Sequence, residues 1–276
     1  MKTGKKFNIV INHTVIPLLC LLFLTSCYRE PFDVDVSQFA SSIVIEGIVT
    51  DQEGPQTVKI SRPGDISDSD NFPRVGGAAV SITENNQSTF SLQEVTEGVY
   101  QTYDLTGTPG RTYTLIVRIR NQTYTASCVM PEPVRLKEVK FEHIYENSEL
   151  YEIACSFKDR PDTADYCLFN VYYNRHLIDY YLYQDDITDG EEIDLNNFNV
   201  LYGPGDQAII EILTLDRIVY DFYYTLDVIV NNDYDEVSTT FIPMTTPNPT
   251  TNLDNGALGY FSAHPVSRYQ LTAPSP

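Results

Sequence analysis

Tryptophan is missing altogether from this 276-residue chain, although Tyr occurs 20 times and Phe 13 times. A sugar-binding platform usually leans on Trp, so its absence counts against that class of site, whereas a Tyr- and Phe-rich chain suits β-structure. Positive charge is scarce: 18 Lys and Arg stand against 38 Asp and Glu. A surface of that sign repels nucleic acid and anionic membrane, which excludes a nucleic-acid function and favours solubility or a cationic partner. There are 4 His, none in a His-Glu-x-x-His arrangement, and no Gly-x-Ser-x-Gly elbow or phosphate-binding glycine loop occurs. Paired carboxylates are everywhere in so acidic a chain, but nothing picks out a pair for a hydrolase. Long apolar runs are also lacking. The one from Ile9 to Leu24 is broken by Asn12, His13 and Pro17, and spanning a bilayer takes about 20 apolar residues.

That interrupted run has a different use. Lys2, Lys5 and Lys6 precede it, and Leu24-Thr25-Ser26-Cys27 closes it. A charged start, a short apolar core and small residues before the cut make a signal peptide over residues 1–26. Leu-Thr-Ser-Cys resembles the lipobox of bacterial lipoproteins, in which the Cys thiol receives a diacylglycerol and becomes the first residue. Cys27 is therefore the expected lipidation site, with palmitate-type acyl chains anchoring the protein to a lipid membrane rather than spanning it. Removing residues 1–26 takes away three Lys and no acid, leaving 15 basic against 38 acidic residues and a net charge of −23. Of the remaining cysteines, Cys128, Cys155 and Cys167 are odd in number. Cys155 and Cys167 flank a turn at residues 158–165, and either face each other across a hairpin or stay as buried free thiols.

The mature length of about 250 residues allows two domains of ordinary size. Residues 27–40 read as a lipidated tether. From residue 41 to 131 short strands succeed one another between turns. The clearest alternates Tyr113, Leu115, Val117 and Ile119 with Thr112, Thr114, Arg118 and Arg120, the period of a half-buried strand. Seven or so such strands predict an immunoglobulin-like β-sandwich. Pro131-Glu-Pro133 breaks the pattern and marks a boundary. Residues 132–276 read as a second β-rich domain with one inserted helix at about 215–230, where Leu215, Ile218 or Val219, Phe222, Leu226 and Ile229 fall at spacings of three and four. Thr214 or Asp216 caps its start. Residues 184–197 read as an acidic turn region, and the chain closes with a strand near residues 256–263 and a short tail. The fold class is thus mainly β.

Three places carry candidate chemistry. Gln184-Asp-Asp-Ile-Thr-Asp-Gly-Glu-Glu-Ile-Asp194 gathers carboxylates, and Asp185, Asp186, Asp189 and Glu191 are candidate Ca²⁺ ligands, since Ca²⁺ takes six to eight oxygens. The spacing departs from the helical Ca²⁺ loop, and a β-turn at Asp189-Gly190 accounts for the same residues. Tyr172, Tyr173, Tyr180, Tyr181 and Tyr183 form a second group. Outward-facing members would suit a protein or peptide partner, and inward ones would simply pack into the sheet. Asp162-Thr-Ala164 is the third, and is taken up with the resemblance below. No catalytic set emerges, and no other cofactor is implied.

Several segments together resemble the domain-of-unknown-function 4249 lipoproteins of Bacteroidota. They are Ile43-Val-Ile-Glu-Gly-Ile-Val-Thr-Asp51, Val58-Lys-Ile-Ser-Arg62, Val75-Gly-Gly-Ala-Ala-Val-Ser-Ile82, Gly107-Thr-Pro-Gly-Arg-Thr-Tyr-Thr-Leu115 and the closing Asn248-Pro-Thr-Thr-Asn-Leu-Asp-Asn-Gly-Ala-Leu-Gly-Tyr-Phe261. The resemblance implies an outer-membrane lipoprotein of the cell envelope whose gene often neighbours a TonB-dependent transporter, with no established enzyme activity. Asp162-Thr-Ala164 resembles the short O-glycosylation signal of the same bacteria, which would place a sugar on Thr163. The expected function is a non-enzymatic accessory to TonB-dependent transport, capturing or gating a nutrient. The alternative is a surface ligand-binding or adhesin module acting alone.

Overall fold

The computed structural model describes residues 42–64, 72–146, 148–185, 190–196, 198–230 and 248–275. The signal peptide, Cys27 and the tether lie outside the described residues. Within the unit that runs from Phe39 to Pro276, the described residues form fifteen strands and one helix.

Strands β1 (Val44–Thr50), β2 (Gln56–Ser61), β3 (Ala79–Glu84), β4 (Ser88–Thr96), β5 (Val99–Thr102), β6 (Thr112–Ile119) and β7 (Gln122–Val129) come first. β1, β2, β5 and β4 are neighbours in that order, and β4 continues to β3, β6 and β7. β4 pairs with β3 through Ser88–Leu92 and with β5 through Gln93–Thr96, so it passes from one layer to the other. The two layers face each other: a Cβ built on Gly47 of β1 would lie 3.2 Å from the Leu115 side chain of β6. Ile45, Val58 and Tyr100 from one layer and Ile82, Leu115 and Val117 from the other share one core. Strands 1-2-5-4 against 3-6-7 is the arrangement of an immunoglobulin sandwich. The alternation read in residues 112–120 is realised: Tyr113, Leu115, Val117 and Ile119 are buried. Tyr113 also makes the corner bond typical of this fold, its hydroxyl accepting the Thr108 N–H at 2.7 Å and donating to Glu84 at 2.9 Å.

Strands β8 (Leu136–His143), β9 (Tyr151–Lys158), β10 (Tyr166–Tyr173), β11 (His176–Gln184), β12 (Glu192–Leu195) and β13 (Gln207–Thr214) follow. The chain then runs through helix α1 (Arg217–Val230) and strands β14 (Leu258–His264) and β15 (Val266–Thr272). β8, β9 and β12 make a three-stranded layer, and β11, β10, β13 and β15 a four-stranded one. Ile153 and Phe157 meet Phe169, Val171, Ile210 and Ile212 between them. The second module is thus also an immunoglobulin-type sandwich, with β15 returning beside β13. Two of its strands differ from the sequence reading. Residues 192–195, read as part of an acidic turn region, pair with β9, and the segment after residue 264, read as a tail, is β15 paired along β13. The alternation Glu-Ile-Asp-Leu in β12 spans only four residues inside an acid-rich stretch, and in β15 polar side chains leave the apolar period weak.

Between β13 and β15 the chain leaves its own module. α1 starts where the Asp216 side chain accepts the Ile218 N–H at 3.0 Å, which settles the cap in favour of Asp216. Thr214 instead ends β13 and accepts the Val134 N–H at 2.9 Å. The helix buries Val219 and Tyr220 rather than the whole expected stripe: Ile218, Leu226 and Ile229 stay 46, 39 and 36% exposed. Tyr220 packs on Tyr166 of β10, and Phe222 on Tyr260 of β14, with ring centres 5.2 and 4.7 Å apart. The helix therefore fills the seam between the modules and needs two apolar sides. After it, β14 runs parallel to β1 from Val44↔Leu258 to Thr50↔His264 and adds an eighth strand to the first sheet. Residues 258–264, read as part of the second domain, thus complete the first module's sheet.

β14 demands glycine at one point. Gly259 has φ +91°, and a Cβ there would sit 2.2 Å from the Ile45 carbonyl oxygen. Gly259→Val is expected to destabilise the protein by more than about 2 kcal/mol, the cost of a β-branched residue at strained backbone plus a disrupted ladder. Tyr113→Phe, which only removes the corner hydroxyl, should cost about 1 kcal/mol. Urea unfolding of the two variants checks the order; equal losses would contradict it.

Candidate interaction surface

β10 and β11 form a hairpin whose two-residue turn is Asn174-Arg175, both at positive φ (46° and 72°), as a type I′ turn requires. His176 is the first residue of β11, just beyond the turn. The alternation of these strands sends the five candidate tyrosines to different places. Tyr183 is 9% exposed and meets Phe157 edge-on at 5.1 Å in the second core. Tyr173 lies partly buried beside Tyr202, and its hydroxyl donates to Asp206 at 2.9 Å. Tyr172 points to the opposite face, where it donates to Glu211 at 3.2 Å under the Arg268 guanidinium. Burial and these carboxylate partners raise the pKa of Tyr172, and the Asp206 hydrogen bond raises that of Tyr173. Tyr180 and Tyr181 remain 41 and 46% exposed.

Those two do not stand alone. α1 runs alongside, and a cleft of about 220 Å³ is lined by Tyr180, Tyr181, Leu182, Tyr220, Tyr224 and Asp227. The Tyr180 hydroxyl donates to Asp227 at 2.5 Å, and the Tyr220 and Tyr224 rings stack 6.3 Å apart. Leu177 and Ile178 near the start of β11 are over half exposed, as are Tyr224 and Val230 on the helix. An edge strand and one side of a helix thus share an aromatic cleft, and each carries further exposed apolar side chains. Sequence reading found the β11 half of this surface. It missed the helical half, because a stripe at helical spacing reads as core and the strand that shares the surface lies some forty residues away.

The carboxylate candidates sit at the other end of β11. The Asp185 N–H donates to the Asp165 carbonyl at 3.0 Å, and the Glu191 carbonyl accepts the Asp159 N–H at 2.9 Å. Asp186 and Asp189 lie outside the described residues. The structure adds two acids that sequence reading passed over. Asp159 and Asp165 are each 1% exposed. Asp165 forms a double contact with the Arg160 guanidinium. Asp159 accepts the Gly190 N–H at 2.8 Å through one oxygen, while the other is buried with no partner. Burial, reinforced by Asp185 and Asp165, raises its pKa. Among the described residues no three His, Cys, Asp or Glu side chains converge as a metal site. Thr163 is exposed in the turn before Asp165, its hydroxyl 3.4 Å from the Pro161 carbonyl.

The histidines and thiols are dispersed. His143 is an exposed residue at the end of β8, bonded to the Ser148 carbonyl at 2.7 Å. Ser262 and His264 make a hydrogen-bonded pair at 2.7 Å, but they are 0 and 3% exposed, so no substrate reaches the hydroxyl. Cys155 on β9 and Cys167 on β10 belong to different layers, and with Cys128 they are free and buried. The hairpin pairing of Cys155 with Cys167 is therefore replaced by two unpaired thiols. Burial pushes Cys128 and Cys155 up to about 12, and Cys167 higher still.

Two tandem immunoglobulin-type sandwiches, locked by an exchanged strand and carrying an exposed aromatic seam, define a mainly β protein. The chain belongs to the family described as Domain of unknown function (DUF4249), whose pattern matches residues 29–270. No curated protein matches it. Among solved structures it is similar to the crystal structure of chicken CNTN1 FN1–FN3 domains, at 12% identity and a TM-score of 0.26. That match covers 62% of this chain and 59% of the other.

Two measurements follow from the buried groups. A neutral-pH thiol reagent should label none of Cys128, Cys155 and Cys167 in the native protein and all three in denaturant; rapid native labelling would contradict their burial. Burial also lowers the His264 pKa from 6.5 to about 4, against a smaller opposing pull from Asp51. The unfolded chain therefore takes up this proton first, and stability is full above pH 6.5 and lost as pH falls towards 4. At 1.36 kcal/mol per unit the loss is about 3 kcal/mol. His264→Gln should remove that portion of the difference between urea unfolding at pH 7.5 and pH 4.5; an unchanged difference would refute it.

Proposed function

We propose that this protein is an outer-membrane lipoprotein, acylated at Cys27, that works without catalysis as an accessory to a TonB-dependent transporter, helping to capture or gate a nutrient. The observation that carries the reading is the exposed surface shared by α1 and β11. Tyr224 and Val230 on the helix and Leu177, Ile178, Tyr180 and Tyr181 on the strand keep large apolar area in water. Each such side chain is worth about 1.5–3 kcal/mol when fully buried, so leaving several together is costly unless a partner covers them. The family membership supports a common role for the chain, and the lipobox-like Leu24-Thr25-Ser26-Cys27 supports the anchor.

A second reading, a module that binds its ligand alone, is favoured by one feature. The outer face of β14, β1, β2 and β5 carries an open groove of about 410 Å³ lined by Glu46, Thr57, Lys59, Gln101 and Tyr260. It offers hydrogen-bonding groups on a rigid sheet.

Purification of the native lipoprotein from its own membrane in mild detergent, with mass spectrometry of what accompanies it, separates the two. A transporter in stoichiometric amount is expected, and Tyr224→Ser combined with Ile178→Ser should cut its recovery about tenfold while leaving thermal unfolding unchanged. Tenfold corresponds to about 1.4 kcal/mol, less than one well-buried anchor residue provides. A lipoprotein that comes out alone sinks the accessory reading, and groove variants such as Gln101→Ala then become the ones to assay against ligand arrays.

A further inference from the structure

At the end of the first module where the described chain enters, the charge pattern of the molecule reverses. A concavity of about 410 Å³ opens between the start of β1, the end of β2 and the β6–β7 turn. Its lining combines Ile43, Val75, Ile119 and Tyr124 with the two arginines Arg62 and Arg120. Among the described residues no carboxylate belongs to the lining, although acids outnumber bases by 38 to 18 in the chain. Among the described residues neither guanidinium has an ion-pair or hydrogen-bond partner, whereas Arg111 and Arg160 do.

The walls are fixed by backbone bonds rather than by the arginines. Arg62 N–H donates to the Pro73 carbonyl at 2.9 Å, and Val75 N–H to the Ile60 carbonyl at 3.0 Å. This holds the residue 73–77 segment against the end of β2. The nearest acid on that segment's far side, Glu94, is already engaged: it accepts the Gly77 N–H at 3.1 Å and the Gly98 N–H at 3.0 Å. Asp65, Asp68 and Asp70 fall between Arg62 and Arg74 in sequence and lie outside the described residues. Arg120 adds a second observation. It stands at φ +53° in the two-residue turn between β6 and β7, a conformation that Gly or Asn adopts at less cost. A long cation therefore occupies a position where a small residue would be cheaper.

We propose that this concavity binds an amphiphilic anion: a phosphate or carboxylate seated between Arg62 and Arg120, with its apolar body on Ile43, Val75, Ile119 and Tyr124. The volume suits a small ligand or one headgroup with the start of its chain, and pockets of this kind are mostly apolar with a few placed polar groups. Guanidinium is the side chain that holds such anions through paired N–H donors. The inference rests on this geometry alone and is independent of the transporter reading. The anion can come from solution or from a membrane lipid, and the same chemistry serves both.

The test uses the full-length protein in nanodiscs of phosphatidylcholine, titrated calorimetrically with phenyl phosphate. Binding is expected, weakening at least tenfold in Arg62→Gln/Arg120→Gln and unchanged in Arg175→Gln, a turn arginine of the other module. Phenyl glucoside, which keeps the ring and lacks the charge, should bind at least tenfold more weakly than phenyl phosphate. Equal binding of the two probes, or equal binding of phenyl phosphate by wild type and the double variant, overturns the proposal. Repeating the titration in nanodiscs with one fifth phosphatidylglycerol assigns the source. A fall in apparent affinity supports the site with a membrane lipid as its occupant, and an unchanged affinity supports it with an anion from solution. Because both arginine side chains are exposed and make no hydrogen bond or ion pair among the described residues, loss of binding with an unaltered unfolding midpoint separates recognition from stability.

Discussion

Seven residue pairs join β14 to β1 in parallel, from Val44↔Leu258 to Thr50↔His264, and the relation between the two sandwiches depends on that ladder. A parallel pair cannot be closed by a tight turn and needs a long connection. Here the connection is everything from β2 to α1, and β14 leaves the second module between β13 and β15. The close approach has a local requirement on each strand. Gly259 brings β14 against the Ile45 backbone, and Gly47 makes room for the Phe261 ring, which a Cβ would meet at 2.8 Å. Phe261 and Ala263 then enter the first core, and the Ala263 N–H reaches the Cys128 sulfur at 3.3 Å. A strand from the second module is thus counted among the first module's core residues.

Once β14 is committed to the first sheet, the rest of the seam follows. α1 must bridge from the end of β13 to the approach of β14, so it lies over β10 and β11 on one side and over Tyr260 on the other. Two buried contacts are enough to hold it, through Val219 and Tyr220. At the far end of β14, Asp51 accepts the Val266 N–H at 2.9 Å, which ties the turn into β15 to the first module. Linker residue Val134 is tied to the second module by Thr214 and Ser267. The helix is therefore left with apolar residues facing outward as well as inward. That leftover area, beside the exposed start of β11, is the surface proposed to meet a partner. The proposed contact surface and the module locking come from the same insertion.

Acids spread over both modules repel anionic neighbours at long range. Screening limits that field to about 10 Å in ordinary salt, so a concavity lined by two arginines and no acid can hold an anion despite the net charge. The buried Asp159 shows the opposite case, a carboxyl whose desolvation raises its pKa in the midst of other acids.

Composition and local pattern determined the secondary structure of the strongly alternating segments, because burial of every second side chain writes itself into the sequence. Tyr113 to Ile119 is the clearest example. The turn at Asn174-Arg175, the cap region of the helix and the immunoglobulin class also follow from local chemistry. What local chemistry does not encode is which strand lies beside which. β12 and β15 pair through backbone groups, which every residue carries, so their side chains do not say which strand lies beside them. The helical stripe could not show which of its residues face a partner element and which face water, since Val219 and Ile218 are alike as side chains yet 0 and 46% exposed. The two halves of the contact surface and the two arginines of the concavity are likewise brought together only by folding. Contacts between residues far apart in the chain are selected by the packing of whole layers, and only the tertiary structure decides them.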